Sequence, residues 1–139
     1  FSKSVFASAG ALIVNRTESC GCCGAWVKRM ISAGFKTEVN FVNDEVLRSI
    51  KSQLAIPVDL SSCHTATIGS YFIEGHVPAE DIRRLLIERP KALGLSVPGM
   101  PIGSPGMEMG HNKEPFETLL VFENGETQVF NSHTPQTSV

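Results

Sequence analysis

Three features of the sequence predict an α/β fold built as one domain. Short apolar runs alternate with stretches of helical period, a cysteine cluster separates the first run from the first helix, and Gly or Pro punctuates the junctions. With 139 residues, 42% of them hydrophobic and 19% charged, the chain can close a single core within residues 1–139 and is too apolar to be disordered.

The first element is residues 11–15, an apolar run suited to a buried strand. A helical pattern starts at Gly24: Trp26, Val27, Met30 and Ile31 fall on one face, and Lys28, Arg29 and Ser32 on the other. Gly34 supplies the stop, because it takes the left-handed conformation without a Cβ clash. Residues 36–42 set Val39 and Phe41 against Glu38 and Asn40, the alternation of a second strand. Asn43 and Asp44 can cap a second helix, with Val46, Leu47, Ile50 and Leu54 on its apolar side and Pro57 closing it. Residues 65–68 and 71–73 are short strands around a Gly69-Ser70 turn. Pro78 suits the first position of a third helix, with Glu80 and Asp81 at its positive end and Arg83, Arg84 and Arg89 towards its negative end. Pro90 ends it. Residues 94–115 are rich in Gly and Pro and predict no regular element. Residues 119–122 and 127–130 flank Asn124-Gly125, the strongest hairpin signal in the chain. The order β-α-β-α-β-β-α, with a cysteine motif after the first strand, is that of a thioredoxin-like fold. The Met-containing Gly/Pro loop and the C-terminal hairpin are additions to it. The ordered core is expected over residues 11–131, and residues 132–139 are expected to be a polar tail.

Several classes of function are disfavoured. A net charge of -2, with Lys28-Arg29 and Arg83-Arg84 as isolated basic pairs, offers no footprint for nucleic acid. Apolar runs fall far short of the ~20 residues a membrane helix needs. No Gly-rich phosphate loop is present, and Ser, His and Asp stand at no telling spacing. The sequence starts at Phe1 rather than Met, and Ala7-Ser8-Ala9 has the small-x-small form of a signal-peptidase site, so an exported protein is expected.

The chemistry concentrates in "ESCGCCGAWVKRM", residues 18–30. Cys20 and Cys23 have the spacing of a redox pair at a helix N-terminus, where the dipole favours thiolate. Cys22 does not fit that picture. A bridge between neighbours Cys22 and Cys23 is strained, and one between Cys20 and Cys22 is little better. Cys63, in "SSCHTATI", precedes the third strand, where a thioredoxin-like fold normally carries a cis-proline beside the cysteine turn. That fold therefore predicts four thiols at one spot. Two structural disulfides are disfavoured by the spacing, and a single tetrahedral zinc site is disfavoured by the adjacent Cys22 and Cys23. Soft thiolates select Cu(I) and can bridge several ions, which gives the extra cysteine a role as a ligand.

A second soft group lies in "VPGMPIGSPGMEMG", residues 97–110, where Met100, Met107 and Met109 follow neither helical nor strand period. Core filling explains Met30 but suits these poorly, and a thioether that cannot be protonated suits copper. His64 adjoins Cys63, and His76 sits at the turn into the third helix; each is as compatible with a hydrogen-bonded residue as with a ligand. His111 carries a weaker case, and His133 reads as a surface or hydrogen-bonded residue of the tail.

Three blocks, "CGCCGAWVKRM", "CHTATIGSYFIEGHVPAEDIRRLL" and "VPGMPIGSPGME", together resemble the signature blocks of the CopG-type copper-resistance proteins of Gram-negative bacteria. The resemblance spans residues 12–130. It implies an exported, periplasmic, thioredoxin-like protein that binds copper through its cysteines, with interconversion of Cu(I) and Cu(II) as the activity proposed for the family. The crowded thiolates suit several ions, as Cu(I). Carried onto this chain, it implies Cys20, Cys22, Cys23, Cys63, Met100, Met107 and His76 as ligands, and carries no role onto Met109 or His111. Copper ions are the implied partner, with a periplasmic copper chaperone, an exporter or an electron-transfer protein as candidates beyond them. Two readings stand: a copper-binding protein of copper resistance, with or without copper oxidoreductase activity, and a thiol–disulfide oxidoreductase using Cys20 and Cys23.

Overall fold

The computed structural model describes residues 10–135; Ala7-Ser8-Ala9 and the last four residues of the polar tail lie outside them. In chain order the elements are β1 (Leu12–Arg16), α1 (Gly21–Ser32), β2 (Thr37–Phe41), α2 (Asp44–Gln53) and a 3-10 turn (Val58–Leu60). Then come β3 (Thr65–Ile68), β4 (Tyr71–Gly75), α3 (Ala79–Glu88), β5 (Gly94–Val97), β6 (Phe116–Val121) and β7 (Thr127–His133). The chain is a mixed α/β structure in which seven strands form one sheet, ordered β2-β1-β3-β4-β5-β6-β7. β1 pairs parallel with β2 and β4 with β5, and every other neighbouring pair is antiparallel.

Both faces of the sheet are covered. Successive strand residues point to opposite faces, and the neighbours Phe72 and Ile73, like Leu120 and Val121, divide between two apolar clusters. The larger takes Trp26, Val27 and Met30 of α1 and Ile82, Leu85 and Leu86 of α3. The smaller gathers Ile56, Leu60, Phe72 and Val121. Burial of side chains of this size, at roughly 1.5–3 kcal/mol each, holds α1 in place, and with it the cysteines at its start.

The structure corrects four sequence expectations. α1 starts at Gly21, not Gly24, because the Cys20 Sγ accepts a hydrogen bond from the Cys23 N–H at 3.3 Å and caps the helix. Cysteine is not among the usual capping residues, so the sequence gives no warning. Residues 94–97 belong to a strand, β5, buried along its whole length between β4 and β6. Such a strand shows no alternation to read, and Gly94 is required there: a Cβ would lie 2.1 Å from the Phe72 carbonyl oxygen. β7 runs on to His133, which stacks on Phe116 at 4.4 Å and bonds Asp81 Oδ2 at 2.9 Å. His133 is therefore the hydrogen-bonded residue the sequence allowed, but it sits in a strand and not in the tail. α2 buries only Leu47, while Val46 stays 43% exposed.

Candidate metal centre

Sheet topology brings the cysteines together. Asn15 of β1 faces Thr65 of β3, Thr65 faces Glu74 of β4, and Gly75 faces Val97 of β5. β1, β4 and β5 therefore end, and β3 begins, on one side of the sheet. The residues just beyond those ends are Cys20 to Cys23 after β1, Cys63 and His64 before β3, His76 after β4 and Met100 after β5.

One sulfur links the rest. Cys22 Sγ lies 3.5 Å from Cys20 Sγ, 3.7 Å from Cys63 Sγ and 3.7 Å from Met100 Sδ. Cys20 and Cys23 form a disulfide, and Cys22 and Cys63 are free thiols. All four Sγ atoms lie within 4.8 Å of one another, an arrangement able to hold a metal ion. Once the disulfide is reduced, four thiol sulfurs with a thioether beside them make a soft donor set that fits copper better than a hard cation.

Nitrogen donors approach from the other side of Cys63. His76 Nδ1 lies 2.7 Å from the Pro105 carbonyl oxygen, which can only accept, so Nδ1 carries the proton. The lone pair is then on Nε2, 3.1 Å from Cys63 Sγ. His64 Nδ1 stands 3.5 Å from the same sulfur, and the ring lies against Trp26 with centroids 4.4 Å apart. Burial holds His64 well below the usual histidine range, and His76 adds to this while the Gly75 backbone opposes it. Burial also lowers His76, against the Pro105 carbonyl and Glu108. Both imidazoles are therefore neutral at neutral pH, the form that can donate a lone pair to a metal. The Cys63 thiol is pushed up to about 12, first by burial and then by the charge of Cys22, with the Ser62 hydroxyl opposing.

Of the two methionines carried over by resemblance, Met100 alone has its sulfur against a cysteine thiol. It is 51% exposed and stands at the rim. Met107 is half-buried and is tied through its backbone, accepting from Gly103 N–H at 2.8 Å and donating to the Ser104 carbonyl at 2.8 Å. Met109 and His111 are exposed further along the loop.

Three supports were not singled out from sequence. The Arg16 guanidinium donates to the carbonyls of Thr17, Glu18 and Cys20 at 3.1, 3.2 and 2.8 Å, holding the turn that carries the cysteines. Gly24 makes room for it, since a Cβ there would meet Arg16 Nη1 at 2.8 Å. The carboxylate of Glu74, buried on β4, accepts from Ser62 N–H at 2.8 Å, Thr65 Oγ1 at 2.6 Å and Lys51 Nζ. Lys51 Nζ in turn donates to the Ser62 carbonyl at 3.0 Å and Thr65 Oγ1 at 2.9 Å. Both sides of the Cys63-His64 step are thereby fixed. Across the site, Arg29 Nε donates to Glu108 Oε2 at 2.9 Å, and Gly106 N–H to Glu108 Oε1 at 3.0 Å, which ties the methionine loop to α1.

Comparison with known proteins decides the family. A solved structure titled copper resistance protein CopG, Form 1, is 40% identical, with a TM-score of 0.83, over 90% of this chain and 98% of that one. The chain belongs to the CopG copper-resistance family. The Form 2 structure of the same title agrees, again at 40% identity and a TM-score of 0.83, over 89% of this chain and 98% of that one. A family model described as a protein of unknown function, DUF411, matches residues 60–107, the segment that carries Cys63, His64, His76, Met100 and Met107. A search of curated proteins finds no match. Among the described residues, no helix is long and apolar enough to cross a membrane.

Proposed function

We propose that the protein binds copper in copper resistance, holding several Cu(I) ions between the thiolates of Cys20, Cys22, Cys23 and Cys63. The observation that carries this reading is the meeting of four Sγ atoms within 4.8 Å, with Cys22 against Cys20, Cys63 and Met100. Thiolates bridge Cu(I) ions, so four at one spot suit a cluster better than a single ion. Met100 and His76 are the proposed additional ligands, and Met107 is proposed to close the loop over the sulfurs. The titles of the CopG structures, which name copper resistance, support copper as the metal.

The fold is read as thioredoxin-like, and the order β2-β1-β3-β4 with β1 parallel to β2 supports this. In that frame Cys20 and Cys23 occupy the redox turn. Their thiolates, on closing to a disulfide, release two electrons, which reduce two Cu(II) to two Cu(I); opening the bond consumes two. The protein could thus interconvert the two copper states, working in the periplasm with a copper chaperone, an exporter or an electron-transfer partner.

Anaerobic titration of the fully reduced protein with Cu(I) tests the cluster. More than one equivalent should bind tightly per chain, and a sharp endpoint at one would leave a mononuclear site. The Cys20–Cys23 disulfide also favours a second reading, a thiol–disulfide oxidoreductase. Disulfide reduction that needs only Cys20 and Cys23, in a protein that binds no copper, would support it.

A further inference from the structure

With Cys20 and Cys23 joined, two of the four thiolates are withdrawn, and Cys22 and Cys63 are the free thiols that remain. Cys63 then faces a different set of donors. Its Sγ and one nitrogen each of His64 and His76 lie within 4.8 Å of one another. His76 presents the Nε2 lone pair, because its Nδ1 proton is committed to Pro105. His64 is fully buried, and its Nε2 makes no hydrogen bond.

A buried nitrogen without a partner is costly, and an apolar ring could fill the slot beside Trp26 without that cost. Its other nitrogen, Nδ1, stands 3.5 Å from Cys63 Sγ, the sulfur that His76 Nε2 also approaches. Two imidazoles and a thiolate form a borderline donor set, harder than four thiolates and suited to copper as Cu(II).

We infer that the disulfide form carries a second, mixed nitrogen–sulfur metal site, built from Cys63, His64 and His76, that holds a borderline divalent ion. In the copper setting that ion is Cu(II). Cys63 belongs to both sites, so the all-sulfur and the nitrogen–sulfur arrangements exclude one another, and the Cys20–Cys23 bond selects between them. The inference rests on the copper reading of the same corner of the sheet, and adds His64 as a ligand.

Co(II) and Zn(II) are the probes, because both are borderline divalent ions and neither exchanges electrons with thiols. Metal-free protein with the disulfide intact should bind one Co(II), giving a thiolate-to-cobalt charge-transfer band. His64→Gln and His76→Gln should each weaken that binding by about tenfold or more, while reduced His64→Gln keeps its Cu(I) capacity to within one equivalent. His64 is buried, so a measurement on the unaltered chain guards against misfolding. On adding Zn(II), the imidazole nitrogen resonances of His64 and His76 should shift, and those of His111 and His133 should not. No Co(II) binding by the disulfide form, or unmoved His64 resonances, would overturn the inference. Neither result touches the Cu(I) stoichiometry of the reduced protein, which tests the cluster by itself.

Discussion

Cys22 is the residue that a redox pair alone does not need, and it stands where the sulfurs meet. A serine there keeps the size but replaces a soft thiolate by a hard hydroxyl that copper does not select. Cys22→Ser should therefore lower Cu(I) capacity as much as Cys20→Ser or Cys23→Ser does, measured by metal-to-protein ratio after anaerobic loading. Full capacity in Cys22→Ser would move the function towards disulfide exchange. At this scale the sulfurs were legible, since three cysteines in four positions announce themselves and the Met loop has no packing period to explain it. His64 and His76 stood out as candidates, one beside Cys63 and the other at the turn into α3, whereas the charges did not. Arg16 and Glu74 act through partners across a turn or as far as 23 residues away in the chain, and no spacing in the sequence assigns either of them a role.

The loop after β5 shows how an element without regular structure is held. Gly106 has φ +90, and a Cβ on it would lie 2.8 Å from the Cys22 carbonyl oxygen, 2.8 Å from the Trp26 nitrogen and 3.1 Å from His76 Nδ1. Both the left-handed backbone and the close approach exclude a side chain. Gly106→Ala should cost about 1–3 kcal/mol through strain and overpacking, read as a lower denaturant midpoint. It should also push Pro105 off His76, so that amides of residues 103–107 exchange faster than in the unaltered chain. Unchanged exchange would mean that the loop does not depend on this contact. The exposed Arg29–Glu108 pair contributes little by comparison, because solvent screens it. Glycine and proline content reveals that such a loop exists. It hides β5 within the same stretch, because a short strand buried on both faces carries no alternation.

Across the whole molecule, the order of the elements other than β5 was legible from period and punctuation, and the convergence at one end of the sheet follows from that order. What the order does not show is how the Cys63 step stays in register with the cysteine turn. That depends on one buried ion pair, Lys51 with Glu74, which joins α2 to β4 and grips the backbone at Ser62 and the hydroxyl of Thr65. Ser62 extends the grip, its Oγ donating to the Gly99 carbonyl at 2.5 Å, next to Met100. Glu74 is fully buried, and the Lys51 side chain is 13% exposed. Removing one partner strands a charge, which typically costs about 3–5 kcal/mol, whereas replacing both with apolar groups of similar size is far milder. Glu74→Ala should therefore lower stability by about that amount in urea unfolding, and Lys51→Met with Glu74→Leu should be much less destabilised. Neither variant removes a sulfur, so the copper count should persist in the double variant. Its affinity should fall, because Ser62 N–H loses its acceptor and Cys63 is no longer held opposite Cys22. A double variant with unaltered Cu(I) affinity would show that the sulfurs position themselves, and that the pair serves the fold alone.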